Sequence, residues 1–469
     1  MALTVTNINT LQLLGIVNKT STRQSNLLTQ LSTGNKINKA SDNPAGLIAM
    51  ENFSAELTAV NAALDNNQRA DAMLSTAEGG LDEVSSLLSE IETLALASVN
   101  DASLSQAEIN ANQSQIDAAL ESIDRIANTT TFNGKQLLNG AQAIRTTQAT
   151  NRADNLRVHT RGQGSADTVV NVKTTTAAAA ATGTFALGAA TLSGDHEIVI
   201  TGSLGSQQIS LGNGTTLANT AAAINAATAG TGVTAATGAG NTIVLTASDT
   251  GSDSSVEMTV LSGGTLSDVA RTTGTDAVLS INGRSVTADG LDVSYSANGL
   301  SLEFSMASAL NAANATETIT VKAGATGGGM TFQLGTESNT RSTIGLSSVA
   351  SYQLGGGDAG AALSELKSGG AADLSSKSAN SLKAVRKAIT QVASMKGRLG
   401  GFQKFQVQTS INSLTQSKES LSAARSVIAD TDFAQATADL NRESVLLNSG
   451  ISLLGLANQQ ASQILTLLG

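Results

Sequence analysis

The strongest constraint on this chain is a heptad written near its C-terminus. Phe433, Leu440, Leu447, Leu454, Ala461 and Leu468 recur every seven residues, and Ile451 and Leu465 occupy the intermediate position. A repeat of 3.5 residues is the seam of a helix that packs lengthwise on another helix. Leu446, Leu453 and Leu467 widen the stripe. A helix apolar over so broad an arc needs more than one partner. An ordinary intramolecular bundle would explain any single stripe; the width of this one favours burial between several copies.

The opposite end carries a matching segment, with Ile8, Leu11 and Leu14 followed by Leu27, Leu28 and Leu31 among Gln, Asn, Thr and Ser. These six residues, with Phe433, Leu440, Leu447, Ile451, Leu454, Leu465 and Leu468, form the expected polymerisation interface. A second helix should open at Asn43 and Pro44, because Asn caps free amides and proline loses nothing at the first helical position. Its stripe runs through Phe53, Leu57, Val60, Leu64, Ala70, Leu74, Ala77, Leu81, Val84, Leu88 and Ile91, with a kink expected at Gly79 and Gly80. A third helix is expected from the capping box Ser105 to Glu108. Turns follow at Asn133–Gly134 and Asn139–Gly140. In the second half, Leu382, Val385, Ile389, Val392, Met395, Leu399 and Phe402 mark a long helix reaching Leu421, with a break near Asp430.

Between these helical ends lie short alternating runs such as HEIVITG and NTIVLTAS, separated by Gly, Asn and Asp, which read as strands and hairpins. One helix is expected at TTLANTAAAINAATAG. The fold class is therefore α+β: a long helical coiled-coil bundle formed by both termini, with a β-rich, surface-exposed central insert. The expected divisions are 1–43, an inner helical segment; 44–184, the N-terminal part of an outer helical domain with a β-hairpin region; 185–340, the insert, as one or two small domains; 341–424, the C-terminal part of the outer domain; and 425–469, the second inner segment. Residues 185–340 hold twelve Asp and Glu but three Lys and Arg, out of a net charge of −10 for the chain. Such an acidic insert suits solubility. At the ends, Lys19, Arg23, Lys36 and Lys39 make the first segment basic and the last is mildly acidic, so the two are expected to attract.

The composition disfavours chemistry. Without cysteine there is no thiolate nucleophile, disulfide or zinc–sulfur site. Few aromatic residues speak against a conventional ligand pocket, and the acidic balance speaks against a nucleic-acid partner. No run of apolar residues suffices for a membrane span, and the first residues do not form a secretory signal. His196, in GDHEIV, lacks the second histidine of a zinc-protease helix and reads as a surface histidine leading into a strand. The run TGGGMTFQLG lacks the Gly-Lys-Ser/Thr ending of a phosphate cradle. No catalytic residue, cofactor site or metal site is expected, and the chain is read as a non-enzyme.

Three separate motifs carry a resemblance. LSTGNKINKASDNPAG at Leu31 to Gly46, TFNGKQLLNG at Thr131 to Gly140, and the terminal stretch AARSVIADTDFAQATADLNRESVLLNSGISLLGLANQQASQILTLLG resemble bacterial flagellin, the flagellar filament subunit. The resemblance covers roughly residues 1 to 160 and 345 to 469. It implies unfolded export followed by assembly into a homopolymer, with the terminal helices lining an inner tube, the next helices an outer tube, and the insert projecting outward. The implied location is extracellular, in the flagellar filament. The implied partners are further copies of the chain, the flagellar export apparatus, an export chaperone at the C-terminal helix, and hook-associated and cap proteins. A hook–filament junction protein and a filament-displayed adhesin are the alternative readings. Many family members carry arginines in the first long helix that contribute to recognition by the vertebrate Toll-like receptor for flagellin. The similar stretch here reads SEIETLAL, with Glu90 and Glu92, which implies weak receptor activation.

Overall fold

The computed structural model describes residues 8–99, 105–162, 166–264, 266–323, 327–356, 361–374 and 379–468, with side-chain surroundings for 10–98 and 381–459 at the two ends. Its helices are α1 (Ile8–Thr33), α2 (Pro44–Val99), α3 (Gln106–Thr129), α4 (Leu217–Ala226), α5 (Thr228–Thr231), α6 (Ala379–Phe402), α7 (Thr409–Ala429) and α8 (Phe433–Leu468). The strands lie between Thr131 and Ile344, so helical ends flank a β-rich middle in an α+β fold.

Local chemistry sets the helix starts. The Asn43 side chain accepts from the Gly46 amide at 2.9 Å, directly before Pro44. At α3 the Ser105 amide donates to Glu108 Oε2 at 2.7 Å, and Ser105 Oγ accepts from the Glu108 amide, closing the capping box. Thr216 caps α4 by accepting from the Asn219 amide.

Two compact units divide the chain, one of residues 1–65 and 411–469, the other of residues 66–410. These divisions fall inside α2 and α7 rather than at the segment ends expected from composition. In the first unit α1 and α8 run antiparallel. Asn35 bridges to Asp430, the Lys36 amide donates to the Ala429 carbonyl at 2.6 Å, and the Thr431 amide donates to the Gly34 carbonyl at 2.9 Å. The break anticipated near Asp430 is this crossover between α7 and α8. The start of α2 packs on α7 through Val60, Ala63 and Leu414.

In the second unit, α2 buries Ala70, Leu74, Ala77, Leu81, Val84, Leu88 and Ile91 in steps of three and four, and Leu74 to Ile91 are fully enclosed. α3 encloses Ile116, Leu120 and Ile123, and α6 encloses Val385, Val392 and Leu399. No break appears at Gly79 and Gly80, since α2 is helical from Pro44 to Val99. A Cβ on Gly80 would come within 2.7 Å of Leu138 Cδ1 and 3.0 Å of Thr130 Oγ1, whereas one on Gly79 would meet nothing. Gly80 is therefore a close-approach residue for the turn after α3, and the helix runs through the glycine pair without interruption. Between α6 and α7 lies a π-helical stretch, Gln403–Gln408, with Val407 buried and Phe405 exposed.

Five sheets, antiparallel throughout among the described residues, make up the middle. Three- and four-stranded sheets with α4 enclose one core between Ala181 and Val269, including Ile198, Ile224, Leu245 and Met258. Two five-stranded sheets contribute a second core between Ile144 and Val321, including Val170, Leu279, Leu302 and Ile319. The second core is thus closed by chain from both sides of the first. Ala153–Arg161 pairs with Leu300–Met306, and Thr168–Thr176 pairs with Thr316–Val321. Strands therefore begin well before residue 185, because partners more than 130 residues away recruit them. Asn133 and Asn282, at φ 49° and 48°, turn tight hairpins with the glycines that follow. His196 is not a surface residue: it is 1 % exposed, its Nδ1 lies 3.0 Å from the Gly194 carbonyl, and its ring packs on Gly263, where a side chain would not fit.

Candidate assembly surface

The antiparallel pair of α1 and α8 holds most of the residues expected at the interface. The less exposed positions of α1 include Thr10, Leu13, Val17, Thr20, Gln24, Leu27 and Leu31, in steps of three and four, with Gln30 beside the last. Those of α8 include Ala436, Leu440, Glu443, Leu447, Gly450, Leu454 and Ala457 in the same alternation, with Asp439 and Ser444 at the edges of the stripe. Two complementary heptads meet. Gln24 donates to Ser444 Oγ at 2.9 Å, and a Cβ on Gly450 would stand 2.9 Å from Val17 Cγ2, so the glycine admits the valine. Arg23 Nη1 lies 3.8 Å from Glu443 Oε1, the one ion pair between the two segments among the described residues. Of the four basic residues expected to attract the acidic end, Arg23 makes this contact, from a largely exposed side chain.

The candidate interface therefore separates into two faces. Leu27, Leu31, Leu440, Leu447 and Leu454 lie half-buried in the seam between α1 and α8. Leu11, Leu14, Leu28, Phe433 and Ile451 point away from it and are 43–57 % exposed. The side chains of Ile8, Leu465 and Leu468 lie outside the described residues. Ile16, Val445, Leu446, Leu453 and Leu456 join the exposed set at 51–65 %. Of these, Leu446 and Leu453 could be found from their own seven-residue spacing; Ile16, Val445 and Leu456 stand outside that spacing and show only when α1 and α8 are paired.

A charged framework occupies the second unit. On one face of α6, Lys383 pairs with Asp249, Lys387 with Asp292, and Arg398 with Glu303, reaching three strands of the β region. On another face Arg386 pairs with Glu92 at 3.1 Å and Lys396 pairs with Asp82, both on α2. Glu303 also contacts His159 Nε2 at 3.3 Å and accepts from Ser294 and Ser394. Burial opposes ionisation of Glu303, but the His159 contact and the Arg398 charge outweigh it and hold its pKa at about 2. Burial pulls Arg157 down to about 10, Lys387 down to about 8, and His159 below its ordinary value. Arg157, Glu303 and Lys387 line a cleft of about 170 Å³, in which Lys387 pairs with Asp292 while Glu303 is held by Arg398. Glu317, 2 % exposed, accepts from the amides of Ala149, Thr150, Arg152 and Thr318. Several acids of the insert thus serve internal pairs, which corrects the picture of the insert's charge as a purely solvent-facing layer.

Among the described residues no cluster of His, Asp or Glu could hold a metal ion, and no helix is long and apolar enough to cross a membrane. The arrangement is suited to packing and clamping.

Comparison with known proteins points the same way. The bacterial flagellin N-terminal helical region matches residues 5–143, and the bacterial flagellin C-terminal helical region matches residues 382–468. A flagellin of Clostridium tyrobutyricum is 37% identical over 126 residues, 27% of this chain and 33% of that protein. The B-type flagellin of Pseudomonas aeruginosa is 37% identical over 142 residues, 30% of this chain and 29% of that protein. The Bacillus subtilis flagellin is 32% identical over 146 residues, 31% of this chain and 47% of that protein. The first matches thus span about a third of the relatives' length.

Proposed function

Because this chain belongs to the bacterial flagellin family, whose two terminal helical regions it carries, we propose that it is a filament subunit that polymerises through the outward faces of α1 and α8. The observation that supports this reading most is the doubly apolar character of those helices. Their seam is already filled, yet ten large apolar side chains remain about half exposed: Leu11, Leu14, Ile16, Leu28, Phe433, Val445, Leu446, Ile451, Leu453 and Leu456. Covering the remaining half of each is worth on the order of 10 kcal/mol, taking about 1.5–3 kcal/mol for full burial of one side chain. That gain recurs for every subunit of a helical polymer made of identical copies and offsets the loss of free motion on association, which is of similar order.

The finer parts of the proposal follow from this face. An exposed apolar stripe at the C-terminus is a liability before assembly, which is the reason to expect an export chaperone there and passage through the flagellar export apparatus. Secretion to the cell surface, contact with hook-associated and cap proteins at the filament ends, and a purely structural, non-enzymatic role complete the reading. The test is to incubate purified chain with short filament seeds and image the product by electron microscopy. Long uniform tubes from the unchanged chain are expected, with strongly reduced elongation for the double variant Leu446→Ser/Leu453→Ser. Equal elongation by that variant would reject the outward face as the interface.

A further inference from the structure

The seam between α1 and α8 has a problem that its leucines do not solve. In the observed register Gly450 meets Val17, Ser444 meets Gln24, and Phe433 lies near Gly34. Extending this alignment brings Leu440 level with Leu27, and Leu454 level with Leu13. The less exposed positions of both helices keep a seven-residue spacing, so a slide of one heptad would again set seam positions opposite one another, with Leu447 then facing Leu13 or Leu27. Leucine stripes alone leave the register nearly degenerate.

Polar residues break the degeneracy. Glu443 is 4 % exposed, and its Oε2 has no hydrogen-bond partner among the described residues. Its single charge partner among the described residues is Arg23, whose side chain is 69 % exposed and approaches from the rim. Beside this pair sit the buried Thr20 and the Gln24–Ser444 hydrogen bond, making one polar layer across an otherwise apolar seam. A slide of one heptad carries Glu443 to the level of Val17 or of Leu31. The position corresponding to Arg23 is then Ile16 or Gln30, so the carboxylate is buried without a cation. The same slide moves Gly450 away from Val17, which then meets Glu443 or Ala457 and loses the space that the glycine provides.

We infer that the layer of Thr20, Arg23, Gln24, Glu443 and Ser444, with the Val17–Gly450 contact, is a register key that selects one antiparallel alignment of α1 and α8 at a cost to the strength of their pairing. A buried polar group is well suited to this role because the penalty for stranding it falls on the wrong alignments much more heavily than on the right one. The key decides where the outward apolar residues of the two helices stand relative to each other, and so which composite face a second copy meets. It acts within one chain and can be tested apart from polymerisation.

The chain has no cysteine, so engineered pairs report alignment directly. Leu13→Cys with Leu454→Cys reads the observed register, and Leu13→Cys with Leu447→Cys reads the slide of one heptad. Oxidation would be carried out on the full chain before and after seeding, in an unchanged background and with Glu443→Leu or Glu443→Gln. In the unchanged background only the first pair should cross-link. Glu443→Leu should raise the slipped cross-link several-fold while leaving helical content intact, and Glu443→Gln, still polar, should not. A Glu443→Leu chain that cross-links only in the observed register would overturn the inference, as would absence of the first cross-link in both states. Seeded growth of that same chain is scored separately and bears on the assembly proposal.

Discussion

The two helical regions of this molecule use the same heptad alphabet and finish it differently. In α2, Leu74, Leu81, Val84, Leu88 and Ile91 are fully enclosed, and the surrounding charges of α6 are matched one by one to acids on α2 and on the β strands. In α1 and α8 the seam leucines are half-buried, and a second row of equally large apolar residues faces outward. The first region has satisfied its hydrophobic surface within one chain. The second has apolar surface left over, and the difference separates a part whose hydrophobic surface is covered within the chain from one whose outward face is not.

The largest expected effect tests the self-sufficient side of that contrast. Leu81→Ala, at a fully enclosed position, should cost about 2–5 kcal/mol through lost burial and a residual cavity, read as a lowered denaturant midpoint of the monomer. An effect below 1 kcal/mol, on the order of a surface change, would mean that α2 is not the closed core described.

Acid should loosen the same region through Glu303. Its pKa of about 2 lies below the ordinary 4.5, so its stabilisation is complete above about pH 4.5 and is lost as pH falls toward 2. Solvent screening of this partly exposed group keeps the amount below about 3 kcal/mol, the ceiling set by about 1.4 kcal/mol per pKa unit. Unfolding of the full chain followed between about pH 6 and pH 3 should show this slope, and Glu303→Gln should flatten it. His159, held below its ordinary value mainly by burial, adds a loss in the same direction as pH drops through about 6.5.

The adjacent glycines of α2 sharpen the comparison further because their signs should oppose. Gly80→Ala forces a methyl group onto Leu138 and Thr130 and should cost about 1–3 kcal/mol. Gly79→Ala, with open space around it, should stabilise by about 1 kcal/mol through helix propensity. Thermal midpoints moving in the same direction for both would contradict the close approach.

The smallest effect on the monomer belongs to the outward face. Leu453→Ala, at a position already 54 % exposed, should change monomer stability by no more than about 0.5 kcal/mol. The concentration needed for seeded growth should nevertheless rise, and a variant that loses monomer stability instead would place Leu453 in a core.

Much of this was legible in the residues themselves. Asn43–Pro44, the Ser105–Glu108 box and the Asn-Gly turns act over three or four residues, so their chemistry is local and the chain alone set those boundaries. The same holds for the periodic stripes of α2 and α8, since a 3.6-residue helix converts spacing directly into a face. Other features depended on distant partners. Gly80 reads as a weak point until Leu138 is found against it, and His196 reads as exposed until its strand enters a sheet beside Gly263. The strands Ala153–Arg161 and Thr168–Thr176 found partners at residues 300–306 and 316–321, more than 130 residues away. The sequence by itself determined that both ends are helical, that each carries an apolar stripe, and that the middle is β-rich. Only the tertiary structure decided which leucines fill the α1–α8 seam and which remain outside, because a heptad fixes the face of one helix but leaves open the alignment and direction of the other.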